Sequence, residues 1–173
     1  MIRPAQTSDL DVLLSLTKAC AADLLHRGID QWNEHYPNQE AFASDFDNGV
    51  LFVYCVATRV VGCVALCTEM DQEYRSIEWL TNTTQHLYVH RLAVHPEHQG
   101  QGIARQLMDF AEDHAQKAGC ASVRLDTFSV NKRNLKFYKA RSYRITGEIF
   151  FPKQSEHPFV TLELVLNQRT KEK

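Results

Sequence analysis

The chain of 173 residues has no long apolar run, only seven glycines and no surplus of one charge sign, and each shortage excludes something. No stretch approaches the ~18 consecutive apolar residues that a membrane helix needs, and the opening MIRPAQTSDL lacks the apolar region of an export signal, so neither a membrane partner nor export is expected. A formal net charge of -2 with interspersed signs offers no broad electropositive field, which argues against nucleic acid as a partner. The five cysteines are odd in number, show no C-x-x-C spacing and sit mostly in apolar runs. They read as reduced core thiols of a cytoplasmic protein rather than a disulfide framework. A chain of this length can bury a core of its own, so one domain over 1–173 is expected, with 1–166 as the core and 167–173 as a polar, fraying tail.

What is present is an alternation of helical and strand patterns. MIRPA reads as a strand, followed by a helix capped by Ser8 and Asp11 with Leu10, Leu13, Leu14, Ala21 and Leu24 at helical spacing. A short helix follows Pro37. Residues 50–67 give two β-rich runs in hairpin arrangement, RSIEWL a further strand, and QHLYVHRLAV another. From Ile103, the apolar residues Leu107, Phe110, Ala111 and Ala115 recur every three or four positions up to a C-terminal glycine, Gly119, which defines a helix. CASVRLDT alternates as a strand, NKRNLKFYKARSY is a short basic helix, and RITGEIFF and FVTLELVL are strands. Arg91 and Arg124 read as paired charges at sheet edges. The order predicts an α+β, or mixed α/β, sheet with helices on both faces.

Two of the scarce glycines, Gly100 and Gly102, fall in VHPEHQGQGIA, between a strand and the long helix. A strand that runs through such a loop into a helix aims unpaired main-chain N–H groups at one point, with the positive helix end behind them. That point attracts an anion, and glycine lets a phosphate reach the main chain without a Cβ in the way. The stretch lacks the Lys-Ser/Thr ending of a P-loop and the third glycine of a dinucleotide fingerprint, and it does not open a βαβ unit. On spacing alone, a turn that binds nothing remains an alternative.

The residues also carry a resemblance. Gln99-x-x-Gly102-x-Ala104, preceded by RLAVHPEHQ, is similar to the Q/R-x-x-G-x-G/A acetyl-CoA loop of the GNAT N-acetyltransferase superfamily. NKRNLKFYKARSY, with Asn131 and Tyr138, is similar to that family's N-x-x-A-x-x-x-Y-x-x-x-G-F segment. Asn134 stands where the family usually has alanine and Ser142 where it usually has glycine. The resemblance implies the GNAT fold of a small single-domain member: a mostly antiparallel sheet in which LYVHRLAV and SVRLDTF form a parallel pair that splays apart. It implies acetyl-CoA as cosubstrate and no metal. The pantetheine arm would lie against the main chain of Leu92, Ala93 and Val94, and the diphosphate on the loop of Gln99, Gly100, Gln101, Gly102, Ile103 and Ala104. Asn131 would touch the pantetheine, and Tyr138 would stand near the sulfur.

Acyl transfer to an amine needs a proton acceptor, an oxyanion donor and a proton for the leaving thiolate. Tyr138 is the candidate acid and the main chain of Leu92 the oxyanion donor. His86, Tyr88 and His90 share one strand face by period two, and relatives place a glutamate base at the position Tyr88 holds; tyrosine is a poor base. His90 is therefore the candidate base, with Glu78 as a further option. Trp32, Glu34 and Tyr36, in a loop that borders the acceptor site in this superfamily, are candidates for binding a cationic amine together with Glu78 and Tyr88. His86, His90, His95 and His98 do not make a metal-ligand spacing. The expected function is transfer of an acetyl group from acetyl-CoA to a primary amine of a small molecule or peptide, in a ternary complex. The alternatives are a noncatalytic CoA-binding sensor and a nucleotide-binding enzyme of another fold. Pairing of the C-terminal strand across a homodimer is compatible with the pattern.

Overall fold

The computed structural model describes residues 1–32, 36–83, 85–151 and 155–166. Its strands are β1 (Ile2–Pro4), β2 (Leu51–Val56), β3 (Arg59–Cys67), β4 (His86–Val94), β5 (Ser122–Phe128), β6 (Arg144–Ile149) and β7 (Phe159–Val165). They form one sheet in the order β1-β2-β3-β4-β5-β7-β6, antiparallel throughout except for the parallel pair β4–β5. The helices are α1 (Leu10–His26), α2 (Gln39–Asp47), α3 (Ile103–Lys117) and α4 (Lys132–Ala140). This is the mixed α/β architecture that the alternation of patterns implies.

Helices cover both faces because each carries one apolar stripe. Leu13 and Leu16 of α1 and Phe42 of α2 pack on Leu51, Val53 and Cys63. On the other face, Leu107, Met108 and Ala111 of α3 and Tyr138 of α4 cover Val64, Leu87, Val89 and Leu125. Fully burying a side chain of this size contributes about 1.5 to 3 kcal/mol, so these two stripes fix where the helix ends lie. Among the described residues no helix is long and apolar enough to cross a membrane.

Three local expectations are corrected. The reciprocal cap at the start of α1 does not use Ser8: the Asp9 carboxylate accepts the Gln6 N–H at 2.7 Å while Arg3 of β1 holds it at 2.7 Å, and the chain enters α1 through a 3-10 turn. RSIEWL forms no strand. Its main chain serves side chains instead of a ladder: the Leu80 N–H donates to Glu163 at 2.5 Å, and the Trp79 ring lies 4.4 Å from the Arg124 guanidinium. Arg124 is buried in the middle of the sheet rather than at an edge, directly opposite Glu163 of β7 and bonded to it at 3.0 Å. Burial alone would raise the Glu163 pKa, but hydrogen bonds from Ser122, Thr81 and Arg124 outweigh it and hold the carboxyl below its ordinary value.

Two irregularities in β4 position the site. Its parallel pairing with β5 runs only from His86 opposite Ser122 to Val89 opposite Leu125, and then the strands separate. On the other side, Cys63 pairs with Ala93 but Ala65 pairs with His90, so Arg91 and Leu92 together face Val64 in a bulge. Arg91 takes a left-handed φ of 54°, held by Asp45 at 2.8 Å, with its guanidinium 5.8 Å from the centre of the Tyr36 ring. The bulge inverts the side-chain alternation, so Leu92 and Val94 join Leu87 and Val89 on the α3 face. It also leaves the Leu92 main chain outside the register on both sides.

Candidate active site

Two clefts meet where β4 and β5 part. The first, about 410 Å³, runs from the start of α3 along the end of β4 to α4, and includes Leu92, Ala93, Val94, Gln99, Gly100, Gly102, Ile103, Ala104, Asn131 and Tyr138 in its walls. The second, about 300 Å³, is lined by Trp32, Tyr36, Asp71, Glu73, His90 and Asp126, among others. Gln31, Trp32, Leu92, Asn134 and Tyr138 line both.

The glycine loop has the geometry its sequence suggests. Gly100 and Gly102 both take a left-handed φ of 78°, and a Cβ on Gly102 would meet nothing within 4 Å, so the space in front of it is open. Among the described residues, none of the main-chain N–H groups of residues 100 to 105 donates a hydrogen bond; the first helical bond is Gln106 N–H to the Gly102 carbonyl at 3.1 Å. Six donors thus stand without an acceptor among the described residues at a positive helix end, with Arg27, Arg105 and Arg133 around the cleft. Gln99 braces the loop: its Nε2 donates to the Val94 carbonyl at 3.1 Å, and its Oε1 accepts from Arg133 at 3.0 Å and from Arg27 at 3.4 Å. Gln101 is exposed, donates its side chain to the Glu97 carbonyl, and does not line the cleft.

At the other end of the first cleft, Asn131 is buried and caps α4, its Oδ1 accepting the Asn134 N–H at 3.1 Å and its Nδ2 donating to Gln31 at 3.0 Å. Asn134 donates its amide to Thr127 at 3.3 Å. Ser142 takes the left-handed φ of 69° that glycine would adopt more cheaply, so the turn after α4 keeps its shape. Tyr138 is 5% exposed, packs edge-on to Phe137 and Tyr143, and its hydroxyl has no hydrogen-bond partner among the described residues. Burial, reinforced by the charge of Asp126, pushes its phenol well up, so it is protonated at any working pH.

The second cleft holds His90, stacked on the Tyr74 ring at 6.2 Å and 3.9 Å from the Asp71 carboxylate. Burial lowers its pKa more than Asp71 restores it, so the imidazole is neutral near pH 7. Asp126 of β5, at the mouth of the splay, accepts the Tyr74 hydroxyl at 2.5 Å. Its carboxyl is pushed up to about 6, chiefly by burial and further by Asp71 and Glu73, against the Tyr74 hydrogen bond.

The other candidates separate. Trp32 and Tyr36 line the second cleft; Glu34 lies outside the described residues. Tyr88 is buried, accepts from Arg124 at 3.2 Å and lines neither cleft; Glu78 is exposed and lines neither. His86 is locked between Ser122 at 2.9 Å and the Thr83 carbonyl at 2.6 Å. Sequence reasoning missed Asp71, Glu73 and Asp126. Only Asp126 left a trace, as a second charged residue on the same face as Arg124 in a central strand.

A carboxylate held partly ionised in a cleft costs stability. Because the folded pKa of Asp126 lies above that of the unfolded chain, the favourable contribution is complete below the unfolded carboxyl range and lost as pH rises through about 6. Asp126→Asn is therefore expected to stabilise the protein by about 2 kcal/mol at about pH 7.5, with a gain that shrinks towards about pH 4.5. Thermal melts of both proteins across that range measure it.

Residues 17–143 match the family model described as Acetyltransferase (GNAT) family. The uncharacterized N-acetyltransferase YesJ of Bacillus subtilis (strain 168) is 24% identical over 146 residues, covering 83% of this chain and 81% of its own. Among solved structures, a GNAT-family acetyltransferase from Streptococcus agalactiae 2603 superposes with a TM-score of 0.83 at 22% identity, over 96% of this chain and 95% of its own. The yncA protein of Salmonella typhimurium, solved with its cofactor acetyl-CoA, superposes at 0.70 with 16% identity, over 96% of this chain and 94% of its own. The unpaired donors at the start of α3, the splayed strand pair and the family match agree: the chain belongs to the GNAT family of acetyltransferases.

Proposed function

We propose that the chain transfers an acetyl group from acetyl-CoA to a primary amine bound in the second cleft, with both substrates present together. The observation that carries this reading is that the two clefts share walls: the first is lined by Gly100, Gly102, Ile103, Ala104 and Arg105, whose N–H groups have no acceptor among the described residues, and both are lined by Tyr138, whose hydroxyl has no partner among them.

The residues fit the cosubstrate. Gly100, Gln101, Gly102, Ile103 and Ala104 hold the diphosphate through their main chain, with Gln99 bracing the loop. The main chain of Leu92, Ala93 and Val94 and the Asn131 side chain face the pantetheine arm. Acetyl-CoA supplies an acyl group activated as a thioester. His90, kept neutral by burial and beside the Asp71 carboxylate that favours its protonated form once a proton arrives, takes the proton from the acceptor amine. The Leu92 N–H, at the bulge where β4 leaves β5, donates to the carbonyl oxygen as it becomes negative. Tyr138 gives its proton to the departing sulfur. Trp32 and Tyr36 form walls of the acceptor cleft. yncA, which shares the fold, binds acetyl-CoA, in support of the cosubstrate assignment.

A thermal-shift panel tests the cosubstrate. Coenzyme A at about 100 times its Kd stabilises by about 2.7 kcal/mol, which is several degrees, whereas ATP and NAD leave the melting temperature where it was. Protection by ATP or NAD without protection by coenzyme A would reject the assignment.

A further inference from the structure

The second cleft holds more negative charge than transfer to a simple amine requires. Asp71, Glu73 and Asp126 all face it. Among its described lining residues the cations are His90, which burial keeps neutral, and Arg91, which is engaged by Asp45 at 3.0 and 2.8 Å. The aromatic rings of Trp32, Tyr36, Phe151 and Phe159 line the same space. Tyr138, 95% buried by its 5% exposure, lines it as well, with no partner for its hydroxyl among the described residues.

The surplus cannot serve the reacting nitrogen. That nitrogen must shed its charge to expose a lone pair, and three carboxylates around it would hold it protonated. The charge suits a cation that persists through the reaction, at a distance from the nitrogen that attacks. Aromatic walls add favourable contact for such a cation and for the methylenes leading to it. A cleft of about 300 Å³ is at the small end of ligand sites, which favours a short molecule over a peptide.

We propose that the acceptor is a small aliphatic diamine: one nitrogen is acetylated beside His90 and Tyr138 while the second, still an ammonium, is held by Asp71, Glu73 and Asp126. This rests on the acetyl-transfer reading above. The step balances as that reaction does: a C–N bond forms, the thioester C–S bond breaks, one proton leaves the attacking nitrogen and one reaches the sulfur. The distal ammonium is unchanged.

The test compares kcat/KM for 1,4-diaminobutane and 1-aminobutane with acetyl-CoA, read as thiol release by the full chain. One charge-assisted hydrogen bond corresponds to about tenfold, so the diamine is expected to be preferred by about tenfold to a hundredfold. The double substitution Asp71→Asn with Glu73→Gln falls on exposed turn positions that the core does not use. It is expected to cut the ratio by about tenfold, and Asp126→Asn to cut it further. A wild-type ratio near one, a ratio unmoved by all three substitutions, or turnover of basic peptides but of neither amine would overturn the inference. Coenzyme A protection is measured alongside. If it persists while the ratio is near one, only the diamine assignment fails; if it is absent, the acetyl-transfer reading fails and takes this one with it.

Discussion

Replacing Gly102 with valine is expected to abolish the thermal protection given by coenzyme A and to raise its Kd by about a thousandfold or more. Three charge-assisted N–H donors contribute on the order of 5 kcal/mol to holding a diphosphate, and their approach requires a main chain with no side chain in front of it. Nothing stands within 4 Å of where a Cβ would go, so the substitution clashes with nothing in the protein itself. The obstruction is to the ligand. A β-branched residue at a φ of 78° also strains the backbone, at a cost of about 1 to 3 kcal/mol. Gly102→Asn separates the two effects, since asparagine tolerates the left-handed region. Its melting temperature without ligand should fall less than that of Gly102→Val, yet it should lose most of the protection. Retained protection in both variants would remove the diphosphate from this loop.

The same loop shows which parts of this molecule can be read from its residues. Two glycines of a scarce seven, placed between a strand and an amphipathic helix, left few conformations open, and both are left-handed as that placement implied. The helix after them followed from Leu107, Ala111 and Ala115, whose spacing is met by burial of all three. The splay of β4 from β5 came from family resemblance rather than from any pattern in LYVHRLAV, because the bulge that accompanies it turns on Arg91, a residue with no preference for the left-handed region it occupies. It is held there by Asp45, 46 residues away in sequence, which no local rule sees. RSIEWL misled for a related reason: its alternation suits a strand, but the buried Arg124–Glu163 pair draws Leu80 and Trp79 towards itself. Burying those charges without partners would cost more than a short ladder returns. The acidic cleft was the least legible part. Asp71 and Glu73 lie in an irregular polar segment that reads as solvated surface, and they gain meaning only when folding sets them opposite Asp126.

Replacing Tyr138 with phenylalanine is expected to slow thiol release by about 100-fold to 1000-fold while leaving coenzyme A protection intact. The phenyl ring keeps the edge contacts with Phe137 and Tyr143, at 5.2 and 5.8 Å, so the packing of α4 on the sheet is preserved and only the hydroxyl is lost. A phenol with its pKa pushed up by burial looks a weak acid for a thiolate whose free pKa is about 8.5. The cleft resolves this, because the desolvation that raises the phenol also raises the proton affinity of a thiolate formed beside it, so the two remain matched. A hydroxyl that already had a protein partner would have to break that bond first; this one has none among the described residues. The measurement is a single-turnover assay of thiol release at saturating acetyl-CoA, in which a merely structural role would appear as a lower melting temperature and unchanged chemistry. If Tyr138→Phe releases thiol at the wild-type rate, the proton comes from water, and the hydroxyl at the junction of the two clefts has another purpose.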